Sequence, residues 1–323
     1  MKKRTIIAVI VAIVLIITGG MILVLGLSFA GDGSQESKLT QREVVVKQSF
    51  DSIVIDTADC NVRFAMLSGR DDCMIDLREY QRTQHSVKVE NGTLKIEMVD
   101  DRKWTDHIGV FGTNWESMEM TVYLPEKAYG LLRVTTNTGD IAVPDTLTFA
   151  SVELFSDTGA IGCVAAVTDR ITAGTYTGDI LVMGSAPTTL NIRSNTGDVE
   201  LTNMDCGDCM VKTDTGEIGI ENLYGQSLDC TSDTGEVEME LVIAMEYLKV
   251  ISDTGDVELT ECDAPSITVQ TNTGDISGVL LSPKEFFAKT NTGKERIADH
   301  SGAVTGQCYI TSDTGDITFG YTK

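Results

Sequence analysis

Apolar and polar residues alternate along most of the chain after residue 45, in short runs that recur every 19 to 22 residues. In each repeat, apolar side chains stand seven and five residues before a glycine, as in Leu190 and Ile192. They resume two and four residues after it, as in Val199 and Leu201. Such alternation is typical of strands, because successive side chains on a strand point to opposite faces. The pattern therefore predicts two short strands per repeat, bent around the glycine.

The repeat occurs ten times, which predicts a solenoid in which each repeat is one coil stacked on the next. Leucine-rich repeats have a similar period, but their leucine-asparagine pattern is missing. We therefore expect an all-β fold, a single parallel β-solenoid of about ten coils of 19 or 20 residues. The predicted turn glycines are Gly139, Gly159, Gly178, Gly197, Gly216, Gly235, Gly255, Gly274, Gly293 and Gly315.

The residues around each glycine indicate a tight corner. Glycine adopts positive φ without a Cβ clash, and Asn or Asp two residues earlier can bond its own backbone. Ser or Thr stands three residues before the glycine, and Thr directly before it. By alternation we expect both hydroxyl rows to point inward, stacked at the corner and bonded to backbone groups.

Two regions precede this pattern in the chain. Residues 45–128 are a degenerate β-strand region with Cys60 where a repeat glycine would stand, and we expect them to cap the repeats at 129–323. Residues 1–4 carry Lys2, Lys3 and Arg4, residues 5–30 are uncharged, and 31–44 form a linker. This order predicts a cytoplasmic basic tip, one transmembrane helix and an extracytoplasmic C-terminal part at the bacterial cell membrane. A cleaved signal peptide is the alternative, with Ser28 and Ala30 at the cleavage site.

The formal charge of −23 disfavours a nucleic-acid partner, because no basic surface is available for phosphates. The negative charge is explained either by a solvated surface or by binding of divalent cations or cationic envelope components. Acids follow the corner glycines in a row that could hold calcium, although turn chemistry explains the same positions. This row consists of Asp140, Asp179, Asp198, Glu217, Glu236, Asp256, Asp275 and Asp316.

Eight cysteines raise the question of disulfides or metal. The repeat register places most of them at inward apolar positions, where a free thiol behaves as a small hydrophobe. These inward cysteines are Cys163, Cys209, Cys230 and Cys308. Cys206 and Cys262 fall in connections instead. Cys206 and Cys209 have metal or redox spacing, but there is no second such pair and the three histidines are scattered. We predict no zinc site and no cofactor.

One segment departs from the repetition and holds both tryptophans of the chain. Trp104, Phe111 and Trp115 lie in it. It is either a loop packed over the cap or an aromatic contact surface for a glycan, a lipid headgroup or a protein.

The anchor, the alternating segment that ends in "YLPEK" and the tandem "TNTGDI" corners resemble the bacterial putative-adhesin family of β-solenoids, of unknown function, which includes the LiaG-type envelope proteins. The resemblance covers about residues 45–323. It implies a right-handed parallel solenoid outside a bacterial membrane, often linked to envelope stress, and supplies no catalytic residues.

Together these observations predict a non-catalytic binding, adhesin-like or scaffolding protein of the cell envelope. Its expected partners are the membrane, through the N-terminal helix, and an envelope protein or glycan. An envelope polysaccharide-processing enzyme is the alternative, and it would need a unique group of acids in a groove. Only eight residues follow Gly315, too few for a cap. We therefore expect the final coil, through Cys308 to Ile310 and Ile317 to Phe319, to expose an edge that pairs with a second copy or with a partner's strand. The alternative is that side chains fold over this edge and the protein is monomeric.

Overall fold

A computed structural model describes residues 39–81, 83–100, 116–299 and 302–322. All regular secondary structure in these ranges is β, and they contain no helix long and apolar enough to cross a membrane. The expected transmembrane segment, residues 5–30, lies outside the described residues.

Seven strands precede the regular coils. They are β1 (Thr40–Val46), β2 (Ser52–Asp56), β3 (Cys60–Leu67), β4 (Cys73–Glu79), β5 (Thr83–Glu90), β6 (Thr93–Asp100) and β7 (Met118–Pro125). Strand β5 pairs antiparallel with β6, and β4 pairs antiparallel with both β1 and β7. Strands β2 and β3 pair in parallel with the first regular coil. This region therefore ends the stack with antiparallel strands.

Eighteen strands form the coils. The first nine are β8 (Ala128–Thr138), β9 (Ile141–Val143), β10 (Thr148–Thr158), β11 (Ile161–Cys163), β12 (Ala166–Thr177), β13 (Ile180–Met183), β14 (Thr189–Thr196), β15 (Val199–Asp205) and β16 (Asp208–Thr215). The others are β17 (Ile218–Thr234), β18 (Val237–Thr254), β19 (Val257–Cys262), β20 (Ser266–Thr273), β21 (Ile276–Leu280), β22 (Glu285–Thr292), β23 (Glu295–Ile297), β24 (Gln307–Thr314) and β25 (Ile317–Tyr321).

Each coil has a strand before its corner glycine, on what we call the first side, and a strand after it, on the second side. Equivalent strands pair in parallel with the same register, so that Leu190 faces Cys209 and Val199 faces Ile218. The prediction of an all-β solenoid of about ten coils is confirmed.

The core lies between these sides and is continuous along the stack. Leu190, Ile192, Leu201 and Val250 are fully buried, in agreement with the alternating pattern. Burying such a side chain contributes about 1.5–3 kcal/mol relative to leaving it exposed. The core thus accounts for why the apolar positions repeat so strictly.

A second corner, which the sequence analysis missed, follows the second-side strands of the middle coils. Its residues stand six positions after the repeat glycines and have φ between 54° and 70°. They are Gly184, Asn203, Asn222, Leu241 and Glu261. After this corner the chain forms a third side, where Leu223 pairs with Val242 inside the long strands β17 and β18. Glycine and asparagine tolerate this conformation, but leucine and glutamate do so at a cost.

The last two coils are interleaved. Strand β24 pairs with β20 on one side and with β22 on the other, and β25 lies likewise between β21 and β23. The coil of Gly315 therefore sits inside the stack and the coil of Gly293 ends it. The prediction that the final coil exposes the edge was wrong.

Residue composition explains this exchange of order. Cys308, Ile310 and Ile317 are completely buried in the inner coil. Strand β23 is the charged Glu295–Ile297, and no residue of β22 or β23 is fully buried. An apolar coil gains more by being covered on both sides, whereas a charged coil can face solvent. The spacing of 22 residues between the two glycines supplies the chain needed to double back.

Candidate binding surfaces and a buried polar triad

The hydroxyl row three residues before the glycine is structural. Ser156 Oγ donates to the Gly139 carbonyl at 3.0 Å, and Thr290 Oγ1 donates to the Gly315 carbonyl at 2.9 Å. The same bond recurs in coils between them, as in Ser194. These side chains are buried or half-buried, as expected. The Thr directly before each glycine is exposed instead, which corrects our expectation, because the corner breaks the alternation.

The acid row after the glycine is also used by the fold. Asp198 Oδ1 accepts from the backbone N–H of Glu217 in the following coil at 2.8 Å. Equivalent bonds are made by Asp140, Asp179, Asp256, Asp275 and Asp316. Each carboxylate thus satisfies the corner amide of its neighbour, and this role accounts for the recurrence of Asp without calcium.

Nine of the ten repeat glycines have φ between 140° and 152°, a region that only glycine enters readily. The close stacking of coils adds a second reason for glycine. A Cβ on Gly235 would lie 1.9 Å from the Gly216 carbonyl oxygen of the preceding coil. Gly293, in the terminal coil, is outside the positive-φ set, although a Cβ there would lie 2.0 Å from the Gly315 oxygen.

The expected aromatic contact segment, with Trp104, Phe111 and Trp115, lies outside the described residues.

In the N-terminal region, hydrogen-bond contacts join a buried hydroxyl, an imidazole and a carboxylate in a row. Thr57 Oγ1 lies 2.8 Å from His85 Nε2, and His85 Nδ1 lies 2.9 Å from Glu79 Oε2. Arg42 Nε donates to Glu79 Oε1 at 2.8 Å. This set is not visible in the sequence, because its residues come from β1, β4, β5 and the turn after β2 and converge only in the fold.

The three groups are ordered as in a catalytic triad, but they are not accessible to a substrate. Thr57, Glu79 and His85 are 4%, 1% and 3% exposed, so a substrate cannot reach the hydroxyl. Thr57 stands three residues before Cys60, which is the position of the hydroxyl row. In the coils this hydroxyl bonds a glycine carbonyl of the preceding coil, and here His85 replaces that carbonyl. The triad therefore closes the hydroxyl row at its end.

The ionisation of Glu79 fits this structural role. Burial acts to raise the pKa of its carboxyl, but hydrogen bonds from His85 and Arg42 outweigh burial and hold the pKa below its usual value. Glu79 is thus a buried carboxylate whose charge is satisfied by its neighbours.

The second side carries a dense acidic surface on the middle coils. Carboxylate oxygens of Glu236, Glu238 and Glu258 lie within 4.8 Å of one another, and they are the one group in the described part of the chain with metal-ligand spacing. Burial and then the neighbouring Glu238 raise the pKa of Glu236. Burial and the charge of Glu221 likewise raise the pKa of Glu200. A divalent cation would relieve this repulsion, but exposed carboxylates of this kind are common on acidic proteins without one.

All eight cysteines are free thiols and buried. Cys206 lies in the connection between β15 and β16, as expected, whereas Cys262 is the last residue of β19. Both are buried, at 6% and 0% exposed. Burial raises the pKa of the Cys163 and Cys308 thiols to about 12. An interaction with Cys209 lowers the pKa of Cys206, so the two thiols are neighbours. No further metal ligand joins them among the described residues.

A cavity of about 630 Å³ opens at the terminal coil, beside Phe286, Ile297 and Tyr321. Lys284 lines it with its side chain only 2% exposed and paired with Asp263 at 2.5 Å. Lys284 Nζ also donates to Thr305 Oγ1 at 2.9 Å. Because Thr305 belongs to the returning connection, this lysine fastens the interleaved coils together.

An apolar patch lies on the third side of the middle coils. We call it the third-side patch and define it as Tyr224, Leu241, Ile243 and Met245 together with Tyr247, which lies beside them where the first side of the next coil begins. Every second residue from 241 to 247 is large and apolar, and Met245 is 66% exposed. Tyr224 of β17 pairs with Ile243 of β18 in the adjacent coil. Outward positions elsewhere are mixed, so this run was a signal that the sequence analysis overlooked.

Comparison with known proteins identifies the family. The model of the Toastrack DUF4097 family matches residues 50–318. The chain belongs to this family. The match covers the N-terminal strands from β2 onward and all ten corners, and it confirms the family resemblance noted in the sequence.

Solved structures that match the chain include proteins of Bacteroides fragilis and Parabacteroides distasonis. A Bacteroides fragilis protein named as a putative adhesin is 15% identical, with a TM-score of 0.42 over 89% of this chain and 100% of its own. A Parabacteroides distasonis putative adhesin is 9% identical, with a TM-score of 0.36 over 86% of this chain and 98% of its own. A protein of the same species named as a putative lipid binding protein is 13% identical, with a TM-score of 0.34 over 88% of this chain and 97% of its own. No curated protein matches the chain.

Proposed function

We propose that the protein is a membrane-anchored, extracytoplasmic binding or scaffolding protein of the bacterial envelope that works without catalysis. The third-side patch is the observation that carries this proposal. Exposed apolar patches on soluble proteins mark surfaces that contact a partner. The neighbours named as adhesins and as a lipid binding protein are consistent with contact as the function.

The polar groups that could perform chemistry support the absence of catalysis. The hydroxyl and acid rows bond the neighbouring coils, as in Ser156 and Asp198, and the Thr57 hydroxyl is enclosed. The acids on the second side recur from coil to coil. Glycoside hydrolysis needs two carboxyl groups with different roles, flanking one bond.

Photo-crosslinking in the cell tests the contact surface. The full chain carries Met245→p-benzoylphenylalanine in the bacterium that encodes it, and Met210→p-benzoylphenylalanine on the first side is the control. Met210 is also exposed, at 45%, but lies outside the patch. We expect an adduct from position 245 in the envelope fraction and none from position 210. Equal adducts from both positions, or no adduct from either, would overturn the patch as the contact surface.

Two further measurements separate the other parts of the proposal. Alkaline carbonate should leave the full chain in the membrane pellet and release a chain that lacks residues 5–30; release of both would refute the anchor. Incubation of the purified full chain with envelope polysaccharide should produce no new reducing ends. Their appearance, and their loss in a Glu238→Gln or Glu258→Gln variant, would favour the polysaccharide-processing enzyme.

A further inference from the structure

The terminal coil presents a free strand edge. Strand β22 pairs with β24, and no other described strand pairs with it. The Glu285 N–H donates to the Gly306 carbonyl at 2.9 Å, so the backbone of Glu285 faces the inner coil. Because backbone groups alternate along a strand, those of Phe286 and Ala288 face away from the stack. Thr290 N–H faces the same way and donates to Glu295 Oε1 at 3.0 Å, so the free edge ends there.

The outward side chains on this edge are Glu285, Phe287 and Lys289, and all three are exposed. Phe287 is 44% exposed and stacks on Tyr309 with ring centroids 4.8 Å apart and an angle of 10°. Glu285 accepts a hydrogen bond from Gln307 at 3.2 Å. Neighbours on β24 thus hold two of the three side chains in place.

These residues are complementary to their own two-fold copy. In an antiparallel pair centred on Phe287, Phe286 and Ala288 exchange backbone hydrogen bonds with Ala288 and Phe286 of the second copy. The same register sets Phe287 opposite Phe287, and Glu285 opposite Lys289 at both ends. We propose that two copies of the protein associate end to end through β22 in this register. This inference is independent of the third-side patch.

Other arrangements of the same strand are less favourable. A parallel in-register pair sets Glu285 against Glu285 and Lys289 against Lys289, and like charges directly opposite are destabilising. A shift by two residues faces Phe287 with Lys289 and leaves Glu285 without a cation. The antiparallel pair is also isologous, the usual geometry of a dimer. The edge would then be covered, as edges in proteins generally are.

Cysteine cross-linking of the full chain tests the register. Side chains opposite each other in an antiparallel pair have Cβ atoms about 4.5–5.5 Å apart, near the separation that a disulfide needs. The native cysteines are buried and do not compete. With dioxygen as oxidant, we expect Phe287→Cys to form a disulfide-linked dimer. Met210→Cys, which stands at the same place in a coil inside the stack, should give at least tenfold less disulfide-linked dimer.

Charge exchange tests the pairing partner. On the Phe287→Cys background, Glu285→Lys should lower the dimer yield several-fold, because two lysines then face each other. Adding Lys289→Glu should restore it. A circular dichroism melt checks that each variant is folded. Equal cross-linking of positions 287 and 210, no rescue by the double exchange, or an adduct with a different protein in cells would each overturn the proposal.

Discussion

At the scale of single residues, the corner glycines are determined by two independent constraints. One is local, a φ near 150° that a side chain disfavours. The other is the 1.9 to 2.3 Å separation between a Cβ at each corner and the backbone of the coil stacked against it. The sequence predicts the first constraint from turn chemistry. The second was not accessible, because it depends on which backbones stack.

Replacing Gly235 tests both constraints together. Gly235→Val should lower the free energy of unfolding by about 3 kcal/mol or more, because strain and the clash with the Gly216 oxygen add. Gly219→Ala is the matched control, since Gly219 lies in the preceding coil, that of Gly216, with no atom within 4 Å of an added Cβ. Urea unfolding of both variants measures the difference. An unchanged midpoint for Gly235→Val would show that the corner geometry is wrong.

At the scale of elements, the strands of the two sides were predictable and the polar triad was not. Alternation locates strands such as β14 and β20, because inward positions are apolar in every coil. Nothing in the sequence links Thr57, Glu79 and His85, since they meet only after β4 and β5 cross the end of the stack. The third side was missed for a similar reason: its corner uses Asn222 or Leu241 in place of a recurrent glycine.

The lowered pKa of Glu79 predicts how this end responds to acid. A carboxyl whose folded pKa is below its unfolded value stabilises the fold above the unfolded pKa, and this contribution is lost as the pH falls through the folded pKa. Glu79→Gln should therefore destabilise the protein at pH 7 by about 3 kcal/mol, because Arg42 loses its buried partner.

The matched control for Glu79 is Glu90, whose pKa is also lowered but whose partner Lys95 is exposed with it. Glu90→Gln should leave the free energy of unfolding nearly unchanged, because an exposed ion pair contributes little to stability. Urea unfolding at pH 7 and at pH 3 compares the variants. The gap between wild type and Glu79→Gln should narrow in acid; a gap that persists unchanged would contradict the ionised role of Glu79.

At the scale of the whole molecule, the number of coils followed from the sequence and their order did not. Periodicity counts coils, but each coil contacts only its neighbours, and the neighbours need not follow chain order. Two local signals pointed to the exception: the 22-residue spacing before Gly315, and the charged Glu295, which stands two residues after Gly293 where every other coil has isoleucine or valine. These signals can be interpreted only by comparing two stacking orders, with either the coil of Gly293 or the coil of Gly315 next to the coil of Gly274. The sequence pattern alone does not show which order buries more apolar surface.

Truncation distinguishes chain order from spatial order. If coils stacked in chain order, a chain that ends at residue 299 would keep β22 and β23 docked on the coil of Gly274. In the observed order β22 pairs with β24 alone among the described strands, and a chain ending at 299 lacks β24. Residues 285–297 should then lose hydrogen-exchange protection, while residues 218–262 keep it, because neighbouring coils still cover both sides of that segment.

The intact chain supplies the control for this experiment. There, residues 307–319 should exchange more slowly than residues 285–297, because β24 and β25 are paired on both sides and β22 and β23 on one. Protection retained at 285–297 after truncation would mean that the coil of Gly293 docks directly on that of Gly274. Interleaving would then be dispensable, and the free edge at Phe287 would no longer depend on the doubling back of the chain.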